Sequence, residues 1–401
     1  MQRWRSIEKG TTAEKQRRKA TGLRANTYDS GVTNMKAHGF RDTGRLYRRP
    51  PSPGKQSPKN LAHLTRALDR NTNIALPLRA KGAGSSSTDC NIATHGTVIN
   101  TTSLDQITHI DTYNHTVTAQ AGMLGVIYEV TLKVRPITNF AASHRSMDVD
   151  TFAQVSDRLA KGNIGLKFYL MPYRNHVYLD LRHYESVGGN AYNAPWKIKD
   201  WGESTVLPNV FRSLSRVVPI PSVRYQLMDS ISATTHGLVN SKLVRNGNNV
   251  TAGGRHRRRK PSNLLYSTWC FPASDFSVVV KAYARFCRET FAQTAYRCDL
   301  PAVGYRVARD NSALLSPSFD EPLIALQTVS TQRRGWDSFV MDLSEFAENW
   351  GGTPLFNQSL AARDAYVSQT YGGRMEFFKK LRRQLDPENR FLNPYLARYF
   401  K

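Results

Sequence analysis

Apolar positions along the chain recur with two spacings, about 3.6 residues in some stretches and two in others, and the switches between them mark the elements. Leu61, Leu64 and Leu68 share one face of a helix that Ser57 and Pro58 open, with the serine as N-cap and the proline in the first turn. The apolar run from Ile74 to Leu78 predicts a short buried strand, and the run from Thr97 to Asn100 a second. Leu104, Ile107 and Ile110 lead into a third, from His115 to Gly122. Val117 and Ala119 alternate before Gly122, and Val126, Tyr128, Val130, Leu132 and Val134 alternate after it, which predicts a β-hairpin.

A different pattern begins near Ile137. Phe152, Val155 and Leu159 form a helical stripe that stops at Gly162. Leu166, Phe168 and Leu170 alternate before the turn Pro172–Asn175, and Val177, Leu179 and Leu181 after it, so an antiparallel pair with one wet face is expected. Residues 185–260 are rich in Gly, Asn and Ser and predict long loops. Ser274 caps a helix that turns Phe276, Val279, Val280, Tyr283 and Cys287 inward. Val303–Arg309 and Leu323–Val329 read as strands, and Phe339, Leu343, Phe346 and Trp350 as another helix. Phe377, Phe378, Leu381 and Leu385 make a last stripe that closes at Asp386-Pro387.

Candidate chemistry gathers where the first strand ends. Lys81-Gly82-Ala83-Gly84 runs into Ser85, Ser86, Ser87 and Thr88. Glycines let successive backbone N–H groups converge on an anion, Arg79 and Lys81 add charge, and the serines add hydroxyl donors. The same composition also makes an ordinary Gly/Ser turn. The histidines are scattered without metal-ligand spacing, and the serine run lacks the frame of a nucleophile elbow, so neither a metal centre nor a hydrolase is expected.

Composition narrows the classes. With 401 residues, 40% hydrophobic and 22% charged, the chain suits two or three soluble domains. No apolar run has the length of a membrane span, and the first ten residues lack the apolar core of a secretory signal, so a cytoplasmic protein is expected. Cys90, Cys270, Cys287 and Cys298 lack zinc or disulfide spacing and read as reduced thiols. The net charge of +25 is unusual. The first sixty residues carry fifteen Lys and Arg against four Asp and Glu, and Arg255–Lys260 is a second basic run. Such charge serves nucleic acid, an anionic membrane surface, an anionic ligand or simply solvation. Without interleaved aromatics, specific nucleic-acid binding is not expected.

The stretches "LPLRAKGAGSSSTDCN", "GTVINTTSLDQITHIDTYNHTVTAQAG" and "LGVIYEVTLKVRP", in that order, resemble the FAD-binding domain of the vanillyl-alcohol oxidase type of flavin-linked oxidases. The closing "DPENRFLNPYLARYF" is similar to the tail of their sugar-lactone and alditol oxidase branch. The resemblance implies an α+β fold: a PCMH-like FAD-binding domain at 27–136, an antiparallel-sheet substrate (cap) domain at 137–350, and a segment at 351–401 whose helix returns to the first domain. Residues 1–26 are left as a basic disordered arm. The family places a long segment between the two strands flanking Gly122. Here Gly122 runs straight on into Met123, so the FAD domain is shortened.

The resemblance also implies FAD as cofactor, a small polyol or lactone as substrate, and hydride transfer from a CH–OH group. It assigns FAD binding to Arg79, Ala80, Lys81, Gly82, Ala83, Gly84, Ser85, Ser86, Gly122, Val126 and Ile127. Many members attach the flavin through a His after the Gly-x-Gly; Ser85 stands there, so the FAD is expected to be non-covalent. Of a family Glu-x-Arg pair, Gly304-Tyr305-Arg306 keeps only the arginine. Of a His-Trp-x-Lys near the end, the matching stretch Gly351–Gln358 retains the Gly-Gly and Pro but has Gln358 for the lysine. Arg306 and Gln358 are therefore the catalytic candidates, Gln358 without the capacity to act as a base. The alternative is an impaired member of the family whose basic arm and loop hold a polyanion.

Overall fold

The computed structural model divides the chain into two compact units, Met1–Leu46 and Tyr47–Lys401. It describes residues 54–70, 72–82, 84, 86–104, 107–111, 116–120, 126–127, 129–133, 140–162, 164–184, 210, 213–214, 217–237, 242–245 and 264–401, all in the second unit. The basic arm 1–26 and the run Arg255–Lys260 lie outside the described residues, as do Ala83, Ser85 and Gly122.

The first part of the unit holds β1 (Gly54–Gln56), α1 (Leu61–Leu68), β2 (Leu78–Lys81) and β3 (Thr97–Asn100). β1 and β2 pair in parallel on either side of β3. α1 starts later than Ser57: the Asn60 side chain accepts from the His63 N–H at 2.9 Å and takes the capping role. β2 is displaced from the apolar run at Ile74–Leu78. Pro77 has no N–H to give to a ladder, so pairing begins at Leu78, and Leu76 is left exposed. Leu64, Leu78 and Ile99 close a small core.

β4 (Ile107–Asp111), β5 (Thr116–Gln120) and β6 (Glu129–Lys133) form a separate antiparallel sheet. β5 and β6 pair directly, with Gln120 opposite Glu129, so residues 121–128 form the whole connection between them. The hairpin is present where the alternation placed it.

The large sheet uses β7 (Phe140–Asp148), β8 (Gly165–Met171), β9 (His176–Tyr184), β10 (Lys242–Arg245), β11 (Leu265–Pro272), β12 (Ala302–Val307), β13 (Leu323–Ser330) and β14 (Thr353–Pro354), in the order β10-β7-β9-β8-β12-β13-β11-β14. The helices among the described residues that follow α1 are α2 (Val149–Lys161), α3 (Pro221–Gly237), α4 (Phe276–Thr294), α5 (Trp336–Asn349), α6 (Asp364–Leu385) and α7 (Pro394–Phe400). α3 and β10 fall inside 185–260, where long loops were expected; α3 has almost no apolar periodicity and is anchored by Tyr225 and Met228. α4 is preceded by Asp275 rather than Ser274, and no side chain caps it.

One face of the sheet packs on helices. The Phe168 ring of β8 sits 4.9 Å from Phe152 of α2 and 5.6 Å from Phe276 of α4. Thr328 of β13 meets the Tyr283 hydroxyl of α4 at 2.8 Å. Each fully buried aromatic of this kind contributes about 1.5–3 kcal/mol. By alternation the other face carries Lys167, Tyr169, Tyr305, Ala325, Gln327, Thr268 and Cys270. In α6 the expected stripe is not the buried one. Val367, Tyr371 and Met375 face the core and Phe378 packs beside them, whereas Phe377, Leu381 and Leu385 are exposed.

Candidate functional site

The chain's last turns return to its first strands. The Leu78 N–H donates to the Arg390 carbonyl at 2.7 Å. Asn393 Nδ2 donates to the carbonyls of Asp89 and Ile92 at 2.8 and 2.7 Å, while its Oδ1 accepts from Leu396 N–H and starts α7. Arg390 Nη2 reaches the Leu68 carbonyl at 3.0 Å. α7 thus packs on the first sheet and its turns.

β2 delivers its end to the glycine loop. Lys81, Gly82 and Ser86 are half-buried there. Gly84 has φ +76°, and a Cβ at that position would come within 3.3 Å of the Lys81 side chain. A residue other than glycine is strained in that conformation, and its side chain would occupy space beside the lysine. Beyond the loop, Ser87 Oγ donates to the Gln358 carbonyl at 3.0 Å, Ser87 N–H to Asn357, and Thr88 Oγ1 to Phe356 at 2.7 Å. The loop is therefore clasped to 356–358. That segment is in turn tied to the sheet, since the Thr268 N–H donates to the same Gln358 carbonyl at 3.1 Å. Gln358 Oε1 is buried and has no hydrogen-bond partner among the described residues.

This junction lies on the sheet face opposite α2 and α4, where Leu355 packs on Cys270, Leu323 and Ala325. The Tyr266 phenol on that face is raised, first by burial and then by the Cys90 thiol. Cys270, Leu323 and Ala325 give an apolar floor beneath Leu355. Around it stand polar groups. Gln327 Nε2 donates to Thr268 Oγ1 at 3.3 Å, and Lys167 Nζ is hydrogen-bonded to the Tyr169 hydroxyl. Tyr305 lies directly across from Lys167, its phenol raised by burial and then by Cys270. Asp180, opposite Lys167 on β9, is held by Arg182 at 2.9 Å and lies 4.0 Å from His144.

The sequence-selected residues do not all converge here. Lys81, Gly82, Gly84, Ser86 and Gln358 belong to one neighbourhood, and Val126 packs on the core beneath α1 and β2. Ile127 is half-buried. Ala80 is buried within β2. Arg79 is also buried, and its Nη1 donates to the Phe391 carbonyl; desolvation lowers its pKa. Arg306 projects from the helix-covered face and donates to the Gly162 carbonyl at the end of α2. Gly304 shares that face: a Cβ there would lie 1.9 Å from the Phe168 ring, so the glutamate of the family pattern has no room. The residues that sequence reasoning missed are Lys167, Tyr169, Tyr305 and Gln327. Period-2 alternation identified their strands, but which face looks at the glycine loop depends on packing.

The orphaned Gln358 oxygen, the positive-φ glycine and the half-buried loop fit a ligand with a diphosphate and a polar ring edge. Solved structures share the fold. A cholesterol oxidase from Brevibacterium sterolicum aligns with TM-score 0.62 and 9% identity over 86% of this chain and 94% of its own. A solvent-stable cholesterol oxidase aligns with TM-score 0.60 and 12% identity over the same shares. The fold is that of PCMH-type FAD oxidases, and the FAD binding domain family matches residues 56–131. The D-arabinono-1,4-lactone oxidase family matches residues 130–399, most of the chain, and the protein belongs to that family. A search of curated proteins gives no match.

Proposed function

We propose that this chain holds FAD non-covalently and uses it to oxidise a CH–OH group of a sugar alcohol, sugar lactone or related polyol. The observation that carries the reading is the shared Gln358 carbonyl, which accepts from Ser87 of the glycine loop and from Thr268 of the sheet. It sets the loop beside a sheet face rich in hydroxyl, amide and ammonium groups. Lys81 and the backbone of Gly82–Ser86 hold the diphosphate. Gly122, Val126 and Ile127 wall the ring, and Gln358 Oε1 accepts an N–H from it. Arg79 acts at one remove, by fixing β2 to the tail.

Bound FAD supplies the hydride acceptor. The substrate hydroxyl must lose its proton as the C–H bond breaks. Gln358 is no base and Arg306 faces the helices, so Tyr169, whose hydroxyl is hydrogen-bonded to Lys167, is the group placed to receive that proton. Tyr305 and Gln327 orient the remaining hydroxyls. The four thiols are unpaired, which suits a reducing compartment such as the cytoplasm.

The experiment is a visible absorption spectrum of the purified protein before and after incubation with FAD and gel filtration. A retained flavin band that acid precipitation releases into the supernatant is the expected result. A protein that stays colourless would end the enzyme reading and favour the polyanion-binding one.

A further inference from the structure

β1, β3 and β2 run parallel and end at one edge, where ligands of parallel sheets gather. The register puts Lys55 opposite Val98 and Lys81 opposite Asn100. By alternation these four side chains share one face, while Leu78 and Ile99, which close the small core, share the other. On the polar face a cleft of about 310 Å³ is lined by Gly54, Lys55, Lys81, Val98 and Asn100. That is the lower end of the range for ligand clefts, enough for part of a dinucleotide rather than the whole.

The lining suits an anion. Among the described residues no carboxylate borders the cleft. Lys55 is exposed and makes no ion pair among them. Asn100 Oδ1 accepts from the Thr102 N–H at 3.3 Å and from the Thr102 hydroxyl at 3.0 Å, which leaves Nδ2 to donate outward. The Thr101 N–H donates to the Lys81 carbonyl at 3.0 Å and holds the ends of β2 and β3 together. Lys55 and Lys81 stand on strands roughly 10 Å apart, two strand spacings, a gap that two lysine stems close around one ligand. Lys81 also joins the cleft to the glycine loop: it lines the one, and its Cε lies 3.3 Å from where a Gly84 Cβ would be.

We propose that Lys55, which lies outside the glycine-loop motif, is the second cation of the diphosphate site. It binds the nucleotide's phosphates across the cleft from Lys81, and Asn100 Nδ2 donates to them from the strand between. The inference rests on the flavin reading above and adds to it a residue from β1. One cleft between two ammonium groups suits a single diphosphate, not the run of phosphates along a nucleic acid.

The test is a pair of titrations on the full chain freed of bound flavin. FAD binding is followed by quenching of flavin fluorescence, and ADP binding by calorimetry, since ADP carries the diphosphate without the flavin ring. Lys55→Ala is expected to weaken both about tenfold and to make FAD affinity fall less steeply with rising salt. Lys55→Arg, which keeps the charge, is expected to stay within about threefold of the wild type. A merely structural lysine would not change the salt dependence. Lys55 is exposed, so an unchanged unfolding midpoint is expected; if Lys55→Ala lowers it, Lys55→Gln keeps the stem and serves in its place. FAD binding that Lys55→Ala leaves intact overturns the proposal and upholds the flavin reading. ADP binding that depends on Lys55, in a chain that takes up no FAD, upholds the proposed phosphate contact and ends the flavin reading. A chain that binds neither ligand overturns both.

Discussion

Arg79 and Phe391, 312 positions apart in the chain, are joined at 2.7 Å, guanidinium Nη1 to backbone carbonyl. Positive charge beside a glycine loop suggests phosphate binding, and here the nearest arginine is spent on architecture. The same strand end is left with Lys81 as the cation at the loop, which sharpens what mutagenesis should find.

Gly84→Ala tests the loop. The left-handed conformation at Gly84 costs an alanine about 1–2 kcal/mol. The expected outcome is a small drop in melting temperature and at least a tenfold loss of FAD affinity, read by quenching of flavin fluorescence on titration. Unchanged affinity would remove the loop from the cofactor site.

Arg306 and Tyr169 should separate stability from chemistry. Arg306→Met leaves the Gly162 carbonyl without its donor, so it should lower the unfolding midpoint while flavin reduction by substrate keeps its rate. Tyr169→Phe should do the reverse, slowing reduction about a hundredfold with little change in midpoint. Stopped-flow absorbance and denaturant titration check the pair. Of this contrast the sequence supplied half. The apolar beat of Phe168 and Leu170 located β8, but Lys167 and Tyr169 read only as its wet face. Arg306 carried a family motif, yet its direction depends on Phe168 filling the space above Gly304, a packing fact with no local signal. The strand at Leu78 was displaced for a plainer reason, the missing N–H of Pro77, while the helix at 221–237 was invisible because its buried positions Tyr225, Met228, Ser232 and Thr235 keep helical spacing but two of them are hydroxyl residues, so no apolar stripe marks it.

Thiol chemistry offers a test of burial. Cys270 and Cys287 are each pushed up to about 12, and Cys298 also lies well above the ordinary value, in every case first by desolvation. Cys90 alone is half-buried rather than buried. A disulfide reagent near neutral pH should therefore modify at most one thiol in the native protein and four after denaturation, and Cys90→Ser should abolish the native reaction.

Asp299 predicts a pH dependence. It is 3% exposed and accepts from Thr331 N–H at 2.7 Å, yet burial outweighs those bonds and raises its pKa. The folded state therefore holds the proton more tightly than the unfolded chain. Its contribution is fully present below the ordinary carboxylate value and is lost as pH rises through the raised one. Urea midpoints of wild type and Asp299→Asn, compared from pH 3 upward, should show the wild type losing stability relative to the variant across that window.

Asn393→Ala should cost about 2–4 kcal/mol, since one buried side chain serves the Asp89 and Ile92 carbonyls and caps α7. Chemical denaturation measures it directly.

The clasp between β2 and the tail has a meaning for biosynthesis. The Leu78 N–H waits for a carbonyl at Arg390, and the turn at Asp89–Asn91 for an amide at Asn393. Both partners come after the last strand of the large sheet in the chain, Asn393 standing 304 positions beyond Asp89. The opening strands must stay unfinished until that stretch has been made. A stop codon before Arg390 would then do more than remove α7: it would leave the glycine loop without the frame that holds it, and hand the nascent protein to quality control.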